Sequence, residues 1–255
     1  MLFRRIVLSA LLVGALTGLL LSAIQRWQVI PIIDSAERFE HARTPQGTES
    51  TRDAAQAHEH AGGELAGHVH PAGAWGPAEG AERTGYTVLS NMLTAVGFAL
   101  VMLAAMVASL RRNPAAKIDW RHGLLWGAAG YVVFFVAPAL GLPPEIPGAA
   151  AAPLEARQLW WALTVACTAG GFAGAAFGKT SWRWAALGLL AVPHLVGAPH
   201  PATSPFADHP PAVAAELAEL AHQFVWATAL TNALFWFALG SVSVWMVQRS
   251  LGANS

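Results

Sequence analysis

The sequence predicts an all-α integral membrane protein, a bundle of about six transmembrane helices with both termini on the cytoplasmic side. Three observations carry this reading. Of the 255 residues, 55% are hydrophobic and only 12% are charged, against about 25% charged in an ordinary soluble domain. The apolar residues gather into six stretches, roughly 6–24, 86–110, 122–142, 158–178, 184–198 and 224–247, and every formal charge lies outside them. Those charges also separate by side. If each stretch crosses once, one face receives Arg4, Arg5, Arg111, Arg112, Lys117, Arg121, Lys179, Arg183 and Arg249 with only Asp119 against them. The other face receives six arginines and the remaining fourteen acids. Short basic loops stay in the cytoplasm, so the acidic face is expected outside.

A hydrocarbon core of about 30 Å needs about 20 helical residues, which five of the six stretches reach or nearly reach. They read as helices because a backbone facing lipid must satisfy its own hydrogen bonds, and the alternation of a barrel strand is absent.

The first stretch follows Met1-Leu2-Phe3-Arg4-Arg5 but is longer than a signal-peptide core, and Leu21-Ser22-Ala23 is a poor cleavage site, so it is expected to stay as a span. Cleavage would leave five spans. Segment 25–85 then forms an arm on the outer side. It is His-rich and too poor in apolar residues to build a core from 43 to 83, so it is expected to be largely disordered there, with a short helix near 35–41 above the membrane. Residues 1–255 otherwise make one membrane domain. The outer loop at 141–157 carries Pro143, Pro144, Pro147 and Pro153, which predict a rigid, extended cap. Gly14-xxx-Gly18, Gly123-xxx-Gly127 and Gly170-xxx-Gly174-xxx-Gly178 place small residues on one face of three helices, a device for close packing in lipid. Cys167 reads as a packing residue. Trp27, Trp75, Trp120, Trp160, Trp161, Trp182 and Trp184 fall near predicted boundaries, as an interfacial belt requires. The fifth stretch has fifteen residues and would span only about 22 Å, so it could instead be re-entrant. Segment 199–221 begins Pro-rich and turns helical through 212–222 on entering the last span.

Three constellations carry metal-binding chemistry. In the arm, His58-Glu59-His60 and His68-Val69-His70 can each offer two imidazoles from one side of an extended chain, with oxygen from Glu59 or Glu64. Glu216, Glu219 and His222 recur every three residues near one helix face, with His200, Asp208 and His209 upstream. Pro193 precedes His194 inside the fifth stretch. The proline removes the donor for the carbonyl of Leu189, and a freed carbonyl beside an imidazole suits a cation at a broken helix. Asn91, Gln158, Gln223 and Asn232 are uncharged candidates for the same outer half. With one cysteine, a Cys-based metal site is excluded. No Gly-x-x-x-x-Gly-Lys-Ser/Thr loop, His-Glu-x-x-His or Gly-x-Ser-x-Gly pattern occurs, so nucleotide-driven or hydrolase chemistry has no support and the chain is not read as an enzyme.

The N-terminal FRRIVLSALLVGALTG, APALGLPPEIPG at 137–148, ARQLWW at 156–161 and PHLVGAPHP at 193–201 resemble, in order and character, the CbtA family of probable cobalt transporter subunits. The resemblance covers nearly the whole chain except the arm. It implies an inner-membrane protein of cobalt uptake, linked to cobalamin synthesis, with a small single-span, histidine-bearing partner of the CbtB type. The positions that carry over are Glu145, Arg157, Gln158, His194 and His200. The family is often described with about five spans.

The expected function is a permease component for a divalent transition metal, most simply Co2+, with Ni2+ or Zn2+ as alternatives, and with no tightly bound cofactor. The candidate metal residues are His58, His60, His68, His70, His194, His200, His209, Glu216, Glu219 and His222. Membrane lipid is a further expected partner and a second copy of the chain a candidate one; nucleic acid is not. The alternative is a non-transporting sensor or assembly subunit that buffers metal for a partner.

Overall fold

A computed structural model describes residues 2–43, 77–78, 80–113 and 118–252, and among these the secondary structure is entirely helical. The candidate ligands His58, His60, His68 and His70, with Glu59 and Glu64, lie outside the described residues. Five helices are long and apolar enough to cross a membrane. They are α1 (Leu2–Gln28), α3 (Ala81–Arg112), α4 (Trp120–Ala139), α5 (Leu154–Phe177) and α8 (Pro211–Gly252). Between them lie α2 (Ile30–Arg43), α6 (Thr180–Gly188) and α7 (Val192–Val196).

The glycine motifs set the helix pairing. A Cβ added at Gly14 would lie 2.5 Å from the Val96 Cα, and one at Gly18 would lie 2.6 Å from the Met92 Cα, so α1 and α3 run antiparallel at backbone contact. Gly123 abuts Ser241 and Gly127 abuts Trp236 and Phe237, which makes α4 and α8 an antiparallel pair as well. Small residues bring such backbones together because lipid tails give two helices no hydrophobic reason to associate. On α5 the close contacts fall at Gly171 and Gly174, against Leu190 and Ala186, whereas Gly170 meets only a Leu189 side-chain atom at 3.6 Å. The packing face is therefore turned by one residue from the expected run.

The core between α1, α3, α4 and α8 is aliphatic at one end and aromatic at the other. Met102, Leu103, Met106 and Leu239 are buried, and Phe134 stacks on Trp236 with ring centroids 5.2 Å apart. Phe98 packs on both of those rings. α4 widens into a π-helical turn at Val132–Val136, closed by a bond from the Ala137 N–H to the Val132 carbonyl. The cause is Pro138, which cannot donate to Phe134 and whose ring would collide with that carbonyl in a regular helix.

The fifth stretch is not a continuous helix. It is α6, a 3-10 turn at Leu189–Ala191 and α7, and it runs antiparallel along α5. Ala186 and Leu190 meet Gly174 and Gly171; farther along, the Trp160 indole donates to the Pro193 carbonyl at 3.1 Å, and Ala198 lies beside Trp160 next to Gly141. The segment thus returns the chain to the end where α5 began, completing a sixth pass with a broken helix rather than folding back. Both bundle ends agree with this path. At the basic end, Arg112 lies over the Phe177 ring and the Gln248 amide donates to the Ile118 carbonyl at 2.7 Å. At the acidic end, the Ala150 N–H donates to the Pro205 carbonyl at 2.8 Å.

A second core caps the acidic end. Ala36, Ile146, Phe206 and Leu217 are buried together, joined by Ile32, Phe39, Val213 and Phe224. The expected rigid cap is a small packed layer formed by α2, the Pro-rich loop, the 199–210 segment and the first turns of α8.

Candidate functional site

Both ends of the arm are anchored at the acidic end. Arg83, near the start of α3, donates from both Nη1 and Nη2 to the Glu37 carboxylate on α2, at 3.2 and 2.6 Å. About two turns deeper, the Asn91 amide donates to Ser22 at 3.0 Å and to Gln25 at 2.6 Å, tying α3 to α1. Asn91 therefore serves packing. Asn232 does too, donating to the Thr228 carbonyl within its own helix.

α8 divides its first turns between two faces. Leu217, Leu220, Ala221 and Phe224 pack into the cap, which leaves Glu216, Glu219, His222, Gln223 and Trp226 as an exposed stripe. Glu219 accepts from the Gln223 amide at 3.0 Å. His222 Nε2 lies 3.1 Å from the indole Nε1 of Trp226. Indole nitrogen is a donor only, so Nε2 is the acceptor here and Nδ1 of the neutral ring carries the proton.

His194 lies on the exposed surface of α7, its ring edge-on to Trp160 at 5.9 Å. The Leu189 carbonyl, expected to be freed by Pro193, is not free: the 3-10 turn tightens so that the Val192 N–H bonds to it. A 3-10 bond is the ordinary remedy where the donor four residues on is missing. His200 is exposed, and His209 is half-buried against the Phe206 ring at 6.3 Å. Among the described residues, no three His, Cys, Asp or Glu side chains converge on one position. The structure thus brings His200, His209, Glu216, Glu219 and His222 to the same end of the bundle without gathering them into a coordination shell.

Sequence reasoning missed the ion pairs. Arg157, on the first turns of α5, holds Glu145 of the Pro-rich loop at 2.9 Å, and Arg83 holds Glu37. The available signal was an arginine just before an apolar span opposite an acid in a neighbouring loop, a pattern too common to be read unaided. At the basic end, Asp119 caps α4 by accepting from the Arg121 and His122 N–H groups and from the His122 ring at 2.7 Å. That ring, lying beside the carboxylate, holds the Asp119 pKa below the ordinary carboxylate value, with the backbone donors adding to the effect.

Comparison with the curated proteins and with the solved structures finds no significant match. A family described as "Probable cobalt transporter subunit (CbtA)" matches residues 3–248, from the first turn of α1 to the last turns of α8. All five long helices, the broken pass and the cap fall inside that match, and the chain belongs to the CbtA family.

Proposed function

We propose that this chain is the multi-pass component of an inner-membrane uptake system for a divalent transition metal, cobalt, with its acidic end turned to the periplasm. The observation that carries the reading is the concentration of donors at one end. His200, His209, His222, Glu216 and Glu219 all lie at the end where the His-rich arm is anchored through Glu37 and Arg83. Clustered acids raise the local concentration of a cation, and imidazole with carboxylate is a donor set that suits cobalt, nickel and zinc. The family description supports cobalt among these.

In this reading the arm histidines His58, His60, His68 and His70 capture the ion and deliver it to the outer surface around His194, His200 and His222. Coordination is completed there by arm residues or by a small, single-span, histidine-bearing subunit of the CbtB type, which the word subunit in the family description supports in its general form. Inward passage of a divalent cation gains about 2.3 kcal/mol per charge for each 100 mV of membrane potential. The metal so imported would feed cobalamin synthesis.

The test is uptake of radiolabelled cobalt into cells lacking other cobalt importers and expressing the chain with its candidate partner. Wild type is expected to accumulate cobalt, His194→Ala to accumulate at least several-fold less, and deletion of 44–76 to lose uptake chiefly at low cobalt. Imidazole binds metal only when neutral, and free histidine protonates near pH 6.5, so uptake should fall between pH 7.5 and 5.5. Equal uptake at the two pH values would remove the histidine mechanism. No uptake above empty cells, despite confirmed insertion, would move the chain to metal buffering for a partner.

A further inference from the structure

A cleft of about 580 Å³ opens at the acidic end between the π-helical turn of α4, the Pro-rich loop and the first turns of α5. That volume lies within the range of about 300–1,000 Å³ for small-molecule sites. Phe134, Phe135, Leu142 and Leu154 make its walls apolar, while Arg157 and Gln158 supply its polar groups. The Arg157 Nη2 lies 2.9 Å from Glu145, and the two side chains remain 32% and 27% exposed, so neither is sealed away. Among the described residues, none of the candidate metal ligands His194, His200, His209, Glu216, Glu219 and His222 borders this cleft.

Depth and charge together indicate an occupant. Arg157 is three residues into α5, about 4.5 Å along the helix from its start at the acidic end; the 24 residues of α5 make it about 36 Å long against a hydrocarbon core of about 30 Å, so its first turn is expected at headgroup level. Leu154 lines the cleft and is 61% exposed, so the cleft has an apolar edge open to its surroundings. We infer that the cleft holds a zwitterionic phospholipid, its phosphate on Arg157, its ammonium on Glu145 and its first acyl segment along the Phe135 wall. A guanidinium offers five donors and can hold a carboxylate and a phosphate at once. An anionic headgroup would satisfy the arginine but lie against the Glu145 carboxylate with no cation to offer it. A headgroup carrying both charges complements the pair.

The experiment is lipid retention by the full chain reconstituted in nanodiscs of equal phosphatidylethanolamine and phosphatidylglycerol, followed by detergent extraction and native mass spectrometry. One phosphatidylethanolamine is expected to remain per chain, in about tenfold preference. Glu145→Gln leaves the guanidinium unopposed and should reverse the preference toward phosphatidylglycerol. Ala162→Phe fills the cleft without touching the ion pair and should abolish retention of both. Equal retention of the two lipids, unchanged by Glu145→Gln, would overturn the assignment. So would displacement by soluble phosphoethanolamine at matched concentration, because the apolar walls would then contribute nothing. Photocrosslinking from position 162 to protein in place of lipid would overturn it as well.

Discussion

Asp119 shows how a single side chain fixes the start of a span. Its carboxylate accepts from two backbone N–H groups at the head of α4 and from the His122 ring Nδ1 at 2.7 Å. These bonds favour the ionised form, so the pKa is lowered in the folded protein. A lowered carboxylate pKa means that the contribution of the cap is complete above the ordinary value near 3.8 and is lost as pH falls through the lower folded value. Protection of the Arg121 and His122 amides should therefore be flat from neutral pH to about 4 and fall below it. Amide exchange checks this, and Asp119→Asn, which can still cap but does not titrate, should show no such acid step; an unchanged step would assign it to another group. Little of this was legible in advance. Asp119 stood out in the sequence only as the one acid on a basic face, because capping through the His122 ring depends on a rotamer that spacing does not specify. The same limit applies at His222, whose spacing from Glu219 was visible while its bond to Trp226 was not.

At the scale of elements, the spans were legible because lipid imposes length and apolarity on each of them, and the small-xxx-small faces were legible because close packing requires them. What the pattern could not give was the exact row used, as the shift from Gly170 to Gly171 shows, or the way each proline alters its helix. Pro138 widens α4 into a π turn and Pro193 breaks the fifth stretch, two different outcomes of one chemical defect, decided by what the neighbouring turns can rearrange. The glycine faces give a paired test. Gly14→Val places a Cβ against the Val96 backbone, which cannot yield as a flexible side chain would. It should destabilise the folded chain by about 1–3 kcal/mol, the usual cost of overpacking. Gly97 lies in the interior of α3 with nothing within 4 Å of an added Cβ, so Gly97→Ala should be neutral or stabilising by up to about 1 kcal/mol. Thermal unfolding in one detergent compares the two, and similar destabilisation by both would mean that α1 and α3 do not pack through Gly14.

For the whole molecule, charge segregation was the most informative feature of the sequence, and the structure explains why it holds although the fifth stretch is a broken helix. The sidedness of a loop depends on whether the chain crosses, not on whether it crosses as one regular helix. Lys179 and Arg183 lie at the basic end and Asp208 at the acidic end because α6, the 3-10 turn and α7 traverse the bundle along α5. Fifteen apolar residues suffice because part of the acidic end is already covered by the cap, and the Trp160 indole satisfies a carbonyl at the break. Orientation then follows from a direct labelling experiment. Cys167 is the single native cysteine, so a Cys167→Ala background can carry Trp182→Cys or Ser204→Cys, both at exposed positions. A membrane-impermeant maleimide added to intact spheroplasts should label Ser204→Cys and leave Trp182→Cys unlabelled until the membrane is opened. Labelling of both from outside would make the segment re-entrant and put the termini on opposite sides. Labelling of Trp182→Cys alone would invert the protein, and the donors at the acidic end would then face the cytoplasm, where they would serve release of metal rather than its capture.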